Sequence, residues 1–309
     1  MNNESIGRRK IETIAGLSAG FVTTLVFHPL DLIKIRLQLL KEPSRAPFSS
    51  IAKVLSEINK SAITEYANYN SNNIILKQYK FPHTIIQCYR GIAPNLIGNI
   101  TAWSLYFTIY AELKGIIHTS NKTVDYFTSS TLTGLTCSVI TNPIWVLKTR
   151  ILGSSKYDVY AYKSLRDGIS QIYQREGIAG FWKGTTPSML QVFQASIQLT
   201  LYDHSKNFFT SRHNTSKLST TEYIYSSALS KVLSMTLMYP IQVLKTRLQS
   251  YNPQNEKRGI ISVAKGIWGD EGRMRGFYKG FGANILRVVP ATCVTFVTYE
   301  TVKNYLSYK

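Results

Sequence analysis

Cysteines and acidic residues are scarce in this sequence. The three cysteines, Cys88, Cys137 and Cys293, lie far apart, and an odd number at such spacing predicts neither a disulfide framework nor a zinc site. We interpret them as small apolar residues in a reducing compartment. Only 17 acidic residues stand against 36 lysines and arginines, a net charge of +19 over 309 residues. This balance indicates an anionic partner: nucleic acid, anionic lipid or a phosphorylated small molecule.

Motifs of enzymes and metal sites are also absent. The sequence contains no Walker A loop, no glycine-rich dinucleotide fingerprint after a strand, no H-E-x-x-H and no nucleophile elbow. The five histidines are scattered and form no couple with a cysteine. We therefore predict that the protein is not an enzyme, has no metal site and holds no cofactor permanently.

One sequence unit occurs three times along the chain. Three stretches share a proline with basic residues five and seven positions after it: HPLDLIKIRLQ (28 to 38), TNPIWVLKTR (141 to 150) and YPIQVLKTRLQ (239 to 249). The second and third are followed by EGIAGFWKG (176 to 184) and EGRMRGFYKG (271 to 280), whereas the first is followed only by YRG (89 to 91). Another apolar run then begins, at 92 to 114, 185 to 206 and 281 to 303. The repeating unit is helix, basic connector, helix.

These helices are predicted to lie in lipid. The segments 11 to 39, 126 to 149 and 222 to 248 are each long enough to span a bilayer, although the mean hydropathy of −0.08 is low for a membrane protein. Small residues recur at four-residue spacing, as in Gly16 with Gly20, which lets helices approach in a membrane. The three connectors hold 24 of the 36 basic residues, so we place them on one side and both termini on the other. A basic soluble helical protein that binds nucleic acid is the alternative.

The three stretches resemble the signature of the mitochondrial carrier family, P-x-[DE]-x-x-[KR]-x-[KR] followed by an acidic–glycine pair and an aromatic–basic–glycine turn. The resemblance implies an all-α membrane protein with six transmembrane helices in three pseudo-symmetric repeats, short matrix helices in the long loops, and a multi-pass location in the mitochondrial inner membrane. A threefold repeat around its own cavity needs no partner, so we expect a monomer. The repeats would span 1–115, 116–210 and 211–309. Repeat 1 departs from the pattern: it lacks the acidic–glycine pair and carries a polar insert near 59–80, for which we expect a flexible matrix loop within 41–88.

Prolines in the first helix of each repeat predict bends that bring the three helices together as a matrix gate. The resemblance implies that the residue two after one proline pairs with the lysine five after the next. That rule pairs Asp31 with Lys148, and it places Trp145 opposite Lys245 in a cation–π contact and Gln242 opposite Lys34. Packing of Trp145 against lipid headgroups is the alternative. The full set is Pro29, Pro143 and Pro240 for the bends, the six residues just named, and Gln38 and Gln249 as braces under the gate.

The resemblance implies a second gate at the opposite, cytosolic end. The segments YAELK, YDHSK and YETVK match the family pattern [FY]-[DE]-x-x-[KR]. The same rule pairs Asp203 with Lys303 and Glu300 with Lys114, whereas Ala111 leaves Lys206 without an acid unless Glu112 reaches it. Two gates that close in turn imply alternating access to a central site.

The aromatic–basic–glycine turns begin helices, and helix N-termini beside a basic residue favour phosphate. In this membrane they resemble cardiolipin sites. A solvated helix cap is the alternative. The residues are Arg90, Gly91, Lys183, Gly184, Lys279 and Gly280.

An intramembrane charge is the best candidate for substrate binding. Arg287 lies well inside the last helix, at the level of the family's third contact point, and its counterparts are Gly98-Asn99 and Leu190-Gln191. Trp103 and Gln194 lie about one turn away, and Lys231 occupies the place of Gly20 and Gly134 in the other repeats. Lys231 could equally contact a neighbouring helix.

One cation, amides and an open glycine position suit an anionic substrate with a flat ring. The resemblance extends to the branch that carries FAD, folate, pyrimidine nucleotides and NAD, with segments YPIQVLK and ALSKVLSMTLMYP favouring FAD as the transported substrate. Folate, a pyrimidine nucleotide or NAD are alternative substrates. A regulatory carrier-like membrane protein without transport is an alternative of another class.

Overall fold

The computed structural model describes residues 2–42, 47–70, 80–118, 121–155, 161–213, 219–251 and 259–307, and within these ranges it is helical and contains no strand. The helices are α1 (Asn2–Leu39), α2 (Pro47–Asn70), α3 (Lys80–Cys88), α4 (Ile92–Ile116), α5 (Lys122–Ile140), α6 (Asn142–Gly153), α7 (Leu165–Glu176), α8 (Thr185–Leu190), α9 (Gln194–His213), α10 (Thr220–Gln249), α11 (Ile260–Asp270), α12 (Met274–Phe277) and α13 (Phe281–Ser307). Short 3₁₀ turns cover Ile178–Trp182 and Gln191–Phe193.

The long helices coincide with the predicted apolar segments, two for each repeat. By length and hydropathy alone, the described residues contain two membrane-spanning candidates, Ile14–Leu39 and Met274–Ser307. The remaining long helices carry more serine, threonine and charge. Their outward sides nevertheless expose large apolar side chains, such as Leu237, Phe107 and Leu199. An apolar exterior around polar inward faces is the arrangement that a bundle needs in lipid.

The three signature prolines do not have the same helical context. Pro29 and Pro240 lie inside the continuous helices α1 and α10, as predicted. Pro143 does not, because α5 ends at Ile140 and α6 begins at Asn142, which puts this proline in the first turn of a new helix. Proline is favoured there because its missing N–H needs no partner. The prediction of a proline within one continuous helix is therefore wrong for repeat 2.

The connector of repeat 1 is more ordered than the sequence predicts. Helix α2 covers residues 47–70, and its buried side chains Val54 and Ile58 pack against Leu32 and Leu37 of α1. This amphipathic face explains why a stretch rich in serine and asparagine still folds as a helix. The expected flexible loop is thus wrong for 59–70, while residues 71–79 of the insert lie outside the described residues.

Each second helix starts at a glycine in the left-handed conformation. Gly91, Gly184 and Gly280 have φ of 75°, 76° and 77°. A side chain on Gly184 would also come within 2.8 Å of Gln249 and 3.2 Å of the Lys245 carbonyl in the next repeat. Glycine is needed here both for φ and for the close approach of two repeats.

Candidate functional site

At the end of the bundle that carries the basic connectors, second helices contact first helices. Arg287 on α13 places its Nε 2.5 Å from Oδ1 of Asp31 on α1. At the equivalent place in the next pair of repeats, the Cβ position of Gly98 on α4 lies 3.2 Å from the Trp145 ring. In both cases, the residue seven positions after the turn glycine of one repeat contacts the residue two positions after the proline of the next repeat. Gln191 and Gln242 occupy the third such pair of positions.

This rule corrects the predicted partner of Asp31. The carboxylate forms its ion pair with Arg287, and among the described residues no ion pair joins it to Lys148. Lys148 still acts on Asp31 electrostatically, as do Arg287 and Lys34. Arg287, predicted as a substrate contact, and Asp31, predicted as a gate residue, therefore lie together on one surface, which we call the cavity floor: Asp31, Lys34, Gly98, Trp145, Lys148, Gln242, Lys245 and Arg287.

Asp31 is held from below by a polar chain. Asn95 Nδ2 donates to Asp31 Oδ2 at 3.2 Å and lies 3.1 Å from Nδ1 of His28, which is fully buried. His28 Nε2 in turn lies 3.0 Å from the carbonyl oxygen of Arg90, at the start of α4. Asn99 connects to the same chain through Asn95 and to Thr24 on α1. Buried polar groups that satisfy one another in this way fix side-chain orientation.

The tryptophan of repeat 2 is fixed on three sides. Its indole Nε1–H donates to Thr141 Oγ1 at 3.0 Å, and its six-membered ring lies against Gly98. The ammonium of Lys148 lies 5.1 Å from the ring centroid. The predicted cation–π contact of Trp145 with Lys245 is therefore wrong, because the lysine one turn further along the same helix takes that position.

The cavity floor carries more positive than negative charge. Lys34 is buried, Lys148 and Lys245 are half-buried, and Arg287 lies with them around the single carboxylate of Asp31. No ion pair or hydrogen bond of Lys34 or Lys245 occurs within the described part of the chain. The predicted contact between Lys34 and Gln242 is accordingly not formed. Four cations around one anion in a region of low dielectric constant attract anionic ligands strongly.

Beneath the floor, the residue before each proline anchors the following turn. His28, Asn142 and Tyr239 are fully buried, and each contacts the carbonyl oxygen of the basic residue that precedes the turn glycine. Asn142 Nδ2 donates to Lys183 at 3.2 Å, and Tyr239 OH donates to Lys279 at 2.9 Å. Sequence reasoning missed these residues because a histidine, an asparagine and a tyrosine share no obvious property. Their common position directly before proline was the available signal.

The two predicted brace residues join neighbouring repeats through these anchors. Gln38 donates to Tyr239 OH at 3.1 Å and accepts from Thr246 Oγ1 at 2.8 Å, which links repeats 1 and 3. Gln249 donates to Asn142 at 3.2 Å and accepts from Thr149 at 2.9 Å, which links repeats 3 and 2. At the corresponding place between repeats 2 and 1 stands Leu152, a fully buried side chain without polar atoms.

The third brace position should not tolerate a polar side chain. Leu152→Gln is expected to lower the thermal unfolding temperature, because Leu152 lies in an apolar cluster with Leu32 and Val54. Both ring nitrogens of His28, the anchor of this repeat, already have partners, so the new buried amide would be left without one at a cost of about 1 to 3 kcal/mol. Leu152→Met is the control for the change in shape. An unchanged or raised unfolding temperature in Leu152→Gln would contradict this explanation.

The residues of the predicted cytosolic-side gate do not pair with one another in the described ranges. Lys114, Asp203, Lys206 and Glu300 are exposed, and no ion pair involving them or Lys303 is present in the described ranges. Lys114 instead lies 5.0 Å from the Tyr126 ring, and Lys303 lies 5.5 Å from that of Tyr299. The predicted pairs of the cytosolic-side gate are not formed in this state. The structure therefore has side-chain contacts across one end of the bundle, whereas the predicted gate residues of the other end form no ion pairs in the described ranges.

The basic residues of the turns point inward rather than toward lipid. Lys183 Nζ lies 2.6 Å from Glu176, and Lys279 contacts Glu271 and the carbonyl oxygens of Leu40 and Glu42. Arg90 donates to the Tyr162 carbonyl at 3.1 Å. Burial raises the pKa of Glu176, but the hydrogen bonds from Arg150 and Lys183 outweigh it and hold the pKa below its usual value.

A groove of about 630 Å³ beside Lys183 and Gly184 opens between repeats 2 and 3. Lys183 and Gly184 of the predicted cardiolipin site line this groove, and the binding of cardiolipin stays a prediction.

The other predicted substrate residues lie near the floor or away from it. Asn99 and Gln191 are half-buried, and Gln191 begins the 3₁₀ turn that separates α8 from α9, with Leu190 before it and Gln194 after it. Lys231 Nζ donates to Gln198 Oε1 on α9 at 3.1 Å, which supports the alternative of a helix contact. Trp103 is 59% exposed and stacks on Phe107, about 140° around α4 from Gly98. Its predicted place in the cavity is not supported by this orientation.

Comparison with known proteins agrees with this arrangement. The family model described as mitochondrial carrier protein matches residues 11–63, 119–213 and 216–309. The chain is 35% identical to the mitochondrial FAD carrier protein of Saccharomyces cerevisiae, with 96% of each chain covered. It is 30% identical to the mitochondrial nicotinamide adenine dinucleotide transporter 2 of Arabidopsis thaliana, covering 93% of this chain and 77% of the relative. The predicted fold class, an all-α membrane protein of three repeats, is confirmed. The chain belongs to the mitochondrial carrier family.

Proposed function

We propose that this protein transports FAD across the mitochondrial inner membrane by alternating access. The observation that carries the proposal is the cavity floor, where Arg287, Lys34 and Lys245 surround one carboxylate beside the flat ring of Trp145. FAD combines a pyrophosphate with planar rings, so its charge and its shape both fit such a floor. The 35% identity to a yeast FAD carrier supports this choice within the family.

The protein would be a multi-pass monomer whose repeats span 1–115, 116–210 and 211–309. FAD would be its transported substrate rather than a cofactor, and no covalent step is assigned to any residue. Cardiolipin would bind at the turn glycines, where helix N-terminal N–H groups offer donors and Lys183 stays partly exposed beside the groove. A gate with one ion pair would open at lower cost than a gate with three, because each desolvated pair that breaks leaves two uncompensated charges.

NAD is the second candidate substrate, because three relatives bear the name of nicotinamide adenine dinucleotide transporters at 28 to 30% identity. Its dinucleotide has the same pyrophosphate, so the cavity floor does not separate the two. Folate and pyrimidine nucleotides are the remaining candidate substrates.

Purified protein in liposomes should take up FAD in a saturable manner. FMN, NAD, folate and pyrimidine nucleotides should be tested as competitors at equal concentration, with protein-free liposomes as control. We expect FAD to be the preferred substrate. Saturable uptake of NAD with none of FAD would contradict the proposal, and uptake of neither by folded protein would favour a regulatory role.

A further inference from the structure

We infer that Asn95, oriented by His28, is a positioning residue that occupies one oxygen of Asp31 and thereby leaves the Arg287 guanidinium available to the transported anion. The inference rests on the proposed function, because it assumes that Arg287 receives a phosphate of the substrate. It adds to that function a chain of buried polar groups that sets how strongly Asp31 competes with the substrate for one cation.

The division of the Asp31 carboxylate is the first reason. Its Oδ1 lies 2.5 Å from Arg287 Nε, whereas its Oδ2 accepts a hydrogen bond from Asn95 Nδ2 at 3.2 Å. A carboxylate with both oxygens available forms a bidentate pair with a guanidinium and engages two of its N–H groups. Because Asn95 occupies Oδ2, Arg287 meets Asp31 through one nitrogen, and its other N–H groups are left for a ligand.

The fixed orientation of the Asn95 amide is the second reason. An ionised carboxylate only accepts hydrogen bonds, so Nδ2 faces Asp31, and Oδ1 accepts from Asn99 Nδ2 at 3.4 Å. Nδ2 also lies 3.1 Å from His28 Nδ1, which must then be the acceptor. The hydrogen of the neutral imidazole therefore lies on Nε2 and is donated to the Arg90 carbonyl at 3.0 Å. His28 thus holds the amide from the side opposite the carboxylate.

The contrast with repeat 3 is the third reason. The counterpart of Asn95 there, four residues after the turn glycine, is Asn284, and both side chains are deeply buried. Asn284 Nδ2 lies 2.7 Å from Met235 Sδ, and in the described part of the chain no hydrogen bond joins it to the gate residue Gln242. Gln242 is uncharged and does not compete with a substrate for a cation. The contact between this asparagine and the gate residue is present in the repeat whose gate residue is an acid.

A double-mutant cycle tests whether Asn95 acts through Asp31. Asn95→Leu releases Oδ2 to bind a second N–H group of Arg287, so the KM of FAD uptake into liposomes should rise about 10-fold, while kcat stays within about 2-fold. In the Asp31→Asn background no carboxylate competes for the guanidinium, so adding Asn95→Leu should change KM by less than about 2-fold.

Asn284→Leu is the matched control for this cycle, because it makes the same change at the same place in repeat 3 and should leave KM near the wild-type value. An equal rise of KM with and without the Asp31 carboxylate would overturn the inference, because Asn95 would then support the fold in general. An unchanged KM in Asn95→Leu would overturn it as well.

Two His28 variants give a second test that keeps Asn95 in place. His28→Asn puts an acceptor oxygen near the place of Nδ1 and loses the bond to the Arg90 carbonyl, whereas His28→Gln keeps a donor toward that carbonyl and loses the acceptor. We expect KM to rise in His28→Gln and to return toward the wild-type value in His28→Asn, while thermal stability falls more in His28→Asn. A KM that follows thermal stability in the two variants would indicate a structural role alone and overturn the inference.

Failure of the proposed function gives a different result. If the wild-type protein takes up NAD and no FAD, the FAD assignment fails, and the same cycle measured with NAD still tests Asn95. If it takes up neither, thermal stabilisation by inorganic pyrophosphate replaces uptake as the measure of affinity. An effect of Asn95→Leu confined to the proteins that keep Asp31 would support the inference, and any other pattern would overturn it.

Discussion

Replacement of Arg287 by alanine should reduce the affinity for FAD by about 10- to 100-fold, because a hydrogen bond to a charged group contributes about 1.5 to 3 kcal/mol. The guanidinium reaches Asp31 through Nε while remaining about one-third exposed to the cavity, so its other N–H groups can receive a phosphate. Arg287→Lys should retain part of the affinity, since it keeps the charge and loses the bidentate geometry. Concentration-dependent uptake into liposomes measures both variants.

Asp31→Asn is the matched control for a purely structural role of this ion pair. It breaks the same contact but leaves the cation, so FAD affinity should be kept or increased while the closed floor is weakened. If Arg287→Ala and Asp31→Asn lost FAD affinity to the same extent, Arg287 would be a gate residue only and the substrate site would lie elsewhere.

Glu176→Gln should destabilise the protein by about 3 to 5 kcal/mol, the usual cost of breaking a buried ion pair by removing one partner. Glu176 accepts two hydrogen bonds from Arg150, at 2.5 and 2.9 Å, and a third contact from Lys183, with side-chain exposure of 1%. The variant would leave Arg150 buried at the junction of α6 and α7 with its charge uncompensated. Thermal unfolding in detergent measures the effect.

The same carboxylate gives a pH dependence. Because the pKa of Glu176 is lower in the folded protein than in the unfolded chain, its contribution to stability is present above the unfolded value and is lost as the pH falls through the folded value. The unfolding temperature of the wild type should therefore fall faster below the usual glutamate pKa than that of Glu176→Gln. Glu57→Gln, on the exposed side of α2, is the control for loss of one acidic charge. Parallel pH profiles for wild type and Glu176→Gln would contradict this explanation.

The repeats and the long helices could be predicted from sequence, because each depends on local pattern. Three copies of a proline followed by two basic residues locate one end of every first helix, and three aromatic–basic–glycine turns locate the start of every second helix. The resemblance implied a short helix in each connector, but the extension of α2 to Asn70 was not predicted, because serine, asparagine and alanine dilute its apolar positions.

The partners within the site could not be predicted in the same way. Which residue meets Asp31 depends on the tilt and rotation of two helices from different repeats, and an interrupted helix such as α5 and α6 shifts that rotation. The observed contact uses α13 and α1, whereas the predicted contact used two first helices. Trp145 shows the same limit: its need for Gly98 involves residues 47 positions apart that no periodicity connects.

The proposed transport requires Arg287 to lie at the bottom of a water-filled cavity that is closed toward the basic connectors and open toward the termini. Arg287→Cys, in a background where Cys88, Cys137 and Cys293 are replaced by serine, tests it in oriented liposomes with a membrane-impermeant thiol reagent. The account predicts labelling from the side of the termini. Absence of labelling from both sides would contradict it.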